Sequence, residues 1–335
     1  MTPFQQSILD WYDANRRDLP WRRTCDPYAV WVSEAMLQQT TVQAVIPFFW
    51  RWMQAFPTVH SLAQAREEAV LAAWQGLGYY SRARNLHRAA QIIANDGWPA
   101  TVEQWRSLPG VGDYTAGAVA SIAQGLPAAL VDGNVERVYA RISADPAAGS
   151  GLKRAAWDWA RGNLVAERPG DWNQALMELG ATVCMPRTPA CGRCPVSVHC
   201  LAQKGGNVAD FPAPKPRKEW VRLSHAAVVP VCQGLIGLEQ CPPGAWWAGL
   251  WQTPRFETAE AAADAYPGCW LVGSFKHTVT RYQITLQVFV HHFEKTNAGL
   301  AYVDPKELDS IALTAPAKKA IRLALGSAPT LPGLG

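Results

Sequence analysis

Leu108-Pro-Gly-Val-Gly-Asp-Tyr-Thr-Ala116 decides the fold, because Gly110 and Gly112 bracket Val111 directly before a helical run that opens with Tyr114 and Thr115. Glycines let the backbone turn tightly and approach another molecule closely. The free amides at the next helix start favour an anion, and a cation can bridge the two. The stretch therefore reads as a helix-hairpin-helix in which Gly110, Val111 and Gly112 offer backbone to a phosphate. A plain tight turn between two packed helices has the same spacing and is the competing reading.

Working outward, apolar residues recur at three and four positions over 28–38, 40–56, 61–77, 81–95, 102–108, 115–123, 135–142 and 152–166, each bounded by turn residues. After residue 222 the period changes. Residues 223–231, 233–238, 269–275 and 282–290 alternate or run apolar with β-branched side chains, which predicts strands, and 259–266 and 316–325 predict short helices. The expected organisation is a mainly α domain over 1–203, a basic Pro-rich linker over 204–222, an α+β domain over 223–326 and a disordered tail over 327–335.

The chain has 335 residues, 49% hydrophobic and 17% charged, which excludes a mainly disordered protein. No window has the ~18 unbroken apolar residues of a membrane span, and Gln5, Gln6 and Asp10 stand where a signal peptide would be basic and then apolar. A cytoplasmic protein with no membrane partner is expected, as a monomer. The net charge of +4 is too small to argue for nucleic acid, but the excess is local: residues 201–222 hold 5 basic and 2 acidic side chains, including Lys215, Arg217 and Lys218. That composition suits a semi-extended segment along phosphates, or equally a solvated spacer.

Cys184, Cys191, Cys194 and Cys200 are separated by six, two and five residues, so one short loop can wrap four thiolates around one centre. Zinc and iron-sulfur both fit the count, and the single tight run favours a 4Fe-4S cube over the paired knuckles usual for structural zinc. His199 is read as a bystander.

Two carboxylates stand out. Glu34 lies in Val30-Trp-Val-Ser-Glu-Ala-Met-Leu37, an otherwise apolar helix where an isolated carboxylate is costly unless paired or functional. Asp132 sits in Asp-Gly-Asn at a helix mouth, about twenty residues after the hairpin, where an Asp-Gly turn with Asn134 as helix cap would explain it without chemistry. One apolar and one polar carboxyl are what cleavage at an acetal-like carbon requires, since one must stay protonated and the other ionised.

In this order, Leu19-Pro-Trp-Arg, Trp31-Val-Ser-Glu-Ala-Met-Leu-Gln-Gln-Thr, Gly76-Leu-Gly-Tyr-Tyr-Ser-Arg-Ala-Arg-Asn-Leu, Leu108-Pro-Gly-Val-Gly, Val131-Asp-Gly-Asn-Val, Met177-Glu-Leu-Gly-Ala and the cysteine loop span almost the whole chain. Together they resemble the MutY family of adenine DNA glycosylases, in the helix-hairpin-helix superfamily shared with endonuclease III. The resemblance implies a mainly α helix-hairpin-helix glycosylase domain with an iron-sulfur loop, plus an α+β Nudix-like C-terminal domain. It implies a 4Fe-4S cluster on the four cysteines, bracing a DNA-binding loop, and double-stranded DNA with adenine opposite 8-oxoguanine or guanine as partner. Glu34 would protonate adenine, Asp132 would stabilise the sugar cation, and Tyr114 and Asn134 would orient them. Trp21, Arg22 and Glu178 would line the adenine pocket. Gln39 from one turn and Tyr79 from another would wedge into the duplex, Thr40 and Leu77 of the same turns would be substrate-binding, and Arg82, Arg84 and Arg88 could meet phosphate.

A lyase that also cuts the strand needs a Lys two residues after the second hairpin glycine, and here that residue is Tyr114. A noncatalytic DNA-binding module would have no need of Glu34 or Asp132. Gly249-Leu-Trp-Gln-Thr-Pro resembles the Nudix fold, but the Arg-Glu-x-x-Glu-Glu metal-binding helix is missing after Ala259, so binding without hydrolysis is expected. The family's lesion-reading Phe-Ser-His turn aligns with Val279, Thr280 and Arg281 after Phe275-Lys-His277, which leaves the hydroxyl of Thr280 but no aromatic ring in the turn.

Overall fold

The computed structural model describes residues 1–214, 219–242 and 244–326. Lys215, Arg217 and Lys218 of the expected linker, and the tail from 327 expected to be disordered, lie outside the described residues. The chain forms two compact units, Met1–Ala65 with Ser81–Pro216, and Arg66–Tyr80 with Arg217 onward. Among the described residues no helix is long and apolar enough to cross a membrane.

The first unit is helical. Its elements are α1 (Pro3–Asn15), α2 (Pro27–Leu37), α3 (Val42–Ala55) and α4 (Val59–Gln64); then, after α5 (Glu67–Ala73) of the second unit, α6 (Ser81–Asp96), α7 (Val102–Arg106), α8 (Asp113–Gln124), α9 (Gly133–Ile142), α10 (Gly149–Gly162), α11 (Pro169–Thr182) and α12 (Leu201–Lys204). Local chemistry sets several starts. Thr2 caps α1 in a reciprocal box with Gln5, and Pro3 opens the first turn. Asp26 accepts from the Tyr28 amide to cap α2. The helix expected over 61–77 is instead two, because Ala65 and Arg66 are extended at ψ 150° and 142° and break the hydrogen-bond ladder.

Tyr28 to Met36 of α2 are all buried, as expected of a helix surrounded by others. Helix α8 packs against α2 and α11, and α11 against α1 and α9, over a core that includes Tyr12, Leu130, Val135, Trp172 and Leu176. Gly117 makes the close approach of α8 possible: a Cβ there would stand 2.2 Å from the Ala129 carbonyl oxygen. The hairpin joins α7 to α8, with Gly110 left-handed at φ 75° and Val111 buried. The start of the expected linker is not a free spacer. It forms α12 and a 3₁₀ turn at Val208–Asp210, and Arg141 donates 2.9 Å to the Phe211 carbonyl.

Among the described residues the second unit holds a sheet of seven strands: β1 (Val221–Cys232), β2 (Leu235–Gln240), β3 (Trp251–Gln252), β4 (Arg255–Phe256), β5 (Trp270–Val279), β6 (Tyr282–Phe293) and β7 (Ala301–Val303). The main path runs β3-β2-β1-β6-β5, with β4 also on β1 and β7 on β2. β1 and β6 pair in parallel from Val221↔Tyr282 to Cys232↔Phe293, and the other pairings are antiparallel. Helix α14 (Ala315–Gly326) covers one face, packing Ala317, Ala320 and Ile321 into a core with Val229, Leu286 and Val288, and α13 (Ala259–Ala265) packs on β1 and β4.

Gly117→Ala overpacks the α8 approach at a rigid backbone atom, so it lowers stability by about 1–3 kcal/mol. Thermal unfolding of the two proteins checks this: a Tm within a degree of wild type means the approach is not tight.

Candidate active site

Glu34, in the last turn but one of α2, is 5% exposed. The Tyr114 hydroxyl, from the first turn of α8, donates to its Oε2 and also lies 3.6 Å from the Met177 sulfur. Burial pushes the Glu34 carboxyl up to about 7. The Tyr114 hydrogen bond lowers it, nearby Asp132 raises it, and Arg22 lowers it slightly. The Tyr114 hydroxyl is itself held well above its ordinary value by burial and by the two carboxyls, so it stays a donor.

Asp132 is the N-cap of α9, accepting at Oδ1 from the amides of Asn134 (2.9 Å) and Val135 (2.8 Å). This corrects the expectation that Asn134 caps the helix: Asn134 is inside the first turn, where its Nδ2 donates 2.7 Å to Asp132 Oδ2. Burial leaves the Asp132 carboxyl above its ordinary value, although these three donors work to lower it. Asn134 is oriented in turn by Arg137, which donates 2.8 Å to its Oδ1, 2.8 Å to the Gly180 carbonyl and 2.8 Å to the Cys184 carbonyl. Gly180 lets α11 touch this turn, since a Cβ there would stand 2.5 Å from Asn134 Cβ.

One cavity of about 190 Å³ gathers Trp21, Arg22, Glu34, Thr40, Tyr114, Asp132, Asn134 and Glu178. Glu178 does not present a free carboxylate. Burial works to raise it, but Arg17 binds both oxygens at 2.7 and 2.8 Å and Arg22 adds 2.9 Å, and the balance leaves its carboxyl below the ordinary value. It serves to fix Arg22 at the cavity. Arg17, Ser33 and Gln174 also line the wall and escaped the sequence reading, because Arg17 beside Arg16 looks like ordinary surface charge.

Gln39 lies outside this lining, exposed on the turn after α2. That turn is held by Arg82, whose Nη1 donates to the carbonyls of Ala35 (2.7 Å), Met36 (3.0 Å) and Gln38 (2.7 Å). Part of its guanidinium is thus committed to the end of α2, where sequence alone suggested phosphate. In the second unit Leu77 is buried, while Tyr79 and Thr280 line a second cavity of about 420 Å³. Thr280 and Arg281 are the two-residue connection between β5 and β6. Among the described residues five non-glycine positions take left-handed backbone, and three of them are Gln39 (φ 58°), Tyr79 (φ 49°) and Thr280 (φ 50°), a conformation rare for residues with a Cβ.

Cys184, Cys191, Cys194 and Cys200 stand around one largely apolar cavity with Val138, Leu179 and Val196. Burial, and after it the other three cysteines, push the Cys194 thiol up to about 11. Cys184 Sγ receives 3.3 Å from Arg141, and Cys200 Sγ donates 3.2 Å to the Arg141 carbonyl. Among the described residues no three or more His, Cys, Asp or Glu side chains converge as a group that could hold a metal ion. His199 instead packs edge-on against Phe4 at 5.7 Å.

A buried carboxyl raised to about 7 and a second carboxyl accepting three hydrogen bonds thus face one cavity, an arrangement suited to acid catalysis beside an electrostatic stabiliser. Residues 32–161 match the HhH-GPD superfamily of base excision DNA repair proteins, and residues 225–323 match the NUDIX domain. The fold is that of a helix-hairpin-helix base excision repair glycosylase. A thermostable thymine-DNA glycosylase of known structure is 29% identical with a TM-score of 0.55, over 60% of this chain and 95% of that one. The human adenine DNA glycosylase is 35% identical over 98% of this chain and 75% of its own length, and that of Buchnera aphidicola subsp. Schizaphis graminum is 32% identical over 87% and 84%. The chain belongs to the adenine DNA glycosylase family.

Because Glu34 is raised from 4.5 to about 7, its contribution to stability is complete below pH 4.5 and is lost as pH rises through about 7. Glu34→Gln should therefore gain in Tm on wild type by several degrees between pH 4.5 and pH 8. Melting curves at the two pH values check this; a constant difference would remove the raised carboxyl.

Proposed function

We propose that the protein removes adenine opposite 8-oxoguanine or guanine from duplex DNA, by hydrolysis of the N-glycosidic bond in base excision repair. The observation that carries this reading is the buried Glu34 carboxyl, bonded to Tyr114 and facing one cavity with the capped Asp132. Adenine inside a duplex is out of reach, so the nucleotide must swing out of the stack into that cavity. Glu34 passes its proton to N7 of the base. The C1′–N9 electron pair leaves with adenine, and positive charge develops over C1′ and the ring oxygen. Asp132, ionised and held by its three donors, faces that charge and stabilises it. Water then adds at C1′, and ionised Glu34 takes up its proton. Tyr114 keeps Glu34 aimed, and Asn134 keeps Asp132 aimed.

The hairpin supports DNA binding by its backbone. Gly112 is the N-cap of α8 and brings no side-chain acceptor, so first-turn amides remain for a phosphate. The four cysteines suit a 4Fe-4S cluster: four soft sulfurs ring one apolar cavity, and the cationic Arg141 beside Cys184 offsets thiolate charge. A bound cluster would cross-link residues 184–200 to one another and so brace the loop that follows α11, which Arg141 already ties to the end of α9. In this reading the Thr280 hydroxyl distinguishes 8-oxoguanine from guanine on the opposite strand.

In single-turnover assays with excess protein, wild type should release adenine and leave an intact abasic strand that borohydride does not trap, since Tyr114 supplies no amine. Release should fall as pH rises through about 7. Glu34→Gln should bind the duplex but lose at least about 10²- to 10⁴-fold in rate; near-normal release removes Glu34 from the acid role, and efficient trapping removes the monofunctional reading.

Lesion preference is best tested in the full chain, because residues 66–80 belong to the second unit and a truncation after 222 strands them. Thr280→Val should lower the affinity ratio for 8-oxoguanine over guanine by about five- to a hundredfold, with unchanged maximal release. An unchanged ratio removes Thr280 as the reader.

A further inference from the structure

The 420 Å³ cavity of the second unit contains an aromatic side chain that the reading above does not use. Trp246 comes from the loop before β3, far in sequence from the β5–β6 turn, yet lines the same cavity as Tyr79 and Thr280. Its indole is 47% exposed, an unfavourable state for so large an apolar surface. It is nevertheless held in orientation. The Tyr282 ring lies 5.2 Å away at a tilt of 38°, and the Trp247 ring 5.9 Å away and nearly perpendicular. Two rings thus pack on the indole, which also lines the cavity.

The rest of the wall is mixed in a particular way. Lys319 brings its ammonium over the Phe275 ring at 4.4 Å and remains exposed at the rim, Thr280 brings a hydroxyl, and Tyr79, 53% exposed, brings a second ring. A flat aromatic surface beside a cation and a hydrogen-bonding group is the chemistry that accepts an unstacked or edge-exposed nucleobase next to its phosphate. The turn Val279–Arg281 has no ring of its own, so any aromatic surface beside Thr280 must come from elsewhere in the chain.

We propose that Trp246 is a base-contacting residue, stacking on a nucleobase of the strand opposite the target adenine while Lys319 meets the adjoining phosphate. This rests on the reading that the protein acts on mispaired duplex DNA. Every base has a π-face, so the contact supplies affinity and leaves the C8 oxygen of 8-oxoguanine to Thr280. Trp246 is therefore a platform and Thr280 the reader.

The test uses full-length wild type, Trp246→Ala, Trp246→Leu and Trp246→Phe with duplexes carrying a non-hydrolysable adenosine analogue. In one set 2-aminopurine stands opposite the analogue, and in the others 8-oxoguanine or guanine does. Binding of wild type should quench the 2-aminopurine. The Ala and Leu variants should lose that quenching and bind both mispairs about five- to a hundredfold more weakly, by the same factor for each, and Phe should restore most of both. Leu fills the volume without a π-face, so a merely structural role predicts rescue by Leu as well as by Phe. Wild-type quenching and affinity in the Leu variant overturn the proposal, as does a loss confined to 8-oxoguanine. A wild type that binds and is quenched by Trp246 but releases no adenine from hydrolysable duplex overturns the catalytic reading and leaves this contact standing.

Discussion

The first unit is organised around one hydrogen bond, from the Tyr114 hydroxyl to the Glu34 carboxyl. Every residue from Tyr28 to Met36 is buried, so a carboxyl on this helix has lost its water and must find a donor within the protein or remain protonated. Tyr114 supplies the donor, and it can do so only because the hairpin delivers the first turn of α8 to the side of α2. The glycines of the hairpin, the close approach at Gly117 and the buried α2–α8 contact are thus parts of one arrangement. They dehydrate a carboxyl enough to raise it to about 7, while leaving it open to a single cavity.

The second carboxyl is also raised by burial but is given three donors in place of one. Asp132 has its acceptor positions turned toward amide donors at the start of α9, and the side chain that completes the set, Asn134, is itself steered by Arg137. Arg137 also grips the carbonyls of Gly180 and Cys184. The geometry of the Asp132 carboxyl and the path of the chain into the cysteine loop therefore share one guanidinium. The cysteine loop touches the chemistry through backbone geometry, without any cysteine entering the catalytic cavity.

Much of this was legible in the sequence because it is local. Gly110-Val-Gly112 announces a turn, an isolated Glu34 among Trp31, Val32, Met36 and Leu37 announces an unusual carboxyl, and four close cysteines announce a shared centre. What stayed hidden depends on partners distant in the chain. Arg17 reads as surface charge until Glu178, 161 residues away, is seen between it and Arg22. Arg82 reads as a phosphate ligand until the end of α2 is seen to need a donor for its last carbonyls. The break at Ala65 and Arg66 interrupts an apolar period that continues on both sides, so periodicity alone joins α4 to α5. Trp246 gives no local sign of its neighbours, because Tyr282 reaches it only through sheet pairing.

The interleaving of the two units has a consequence for how the protein is made. Residues 66–80 are completed early in synthesis, but the segment they fold with begins at residue 217 and reaches its C-terminal helix only at 315–326. At ~5–20 residues per second, α5 and the turn with Tyr79 wait about 10–50 s for their partners. The central pairing of that unit, β1 with β6, is parallel and joins residues 61 positions apart, as Val221 and Tyr282 are, which slows its formation further. The newborn chain therefore passes through a state in which the helical unit can close around its core while a loop from its middle is still unhoused. Val70, Leu71 and Trp74, all buried in the finished protein, lie in that unhoused stretch.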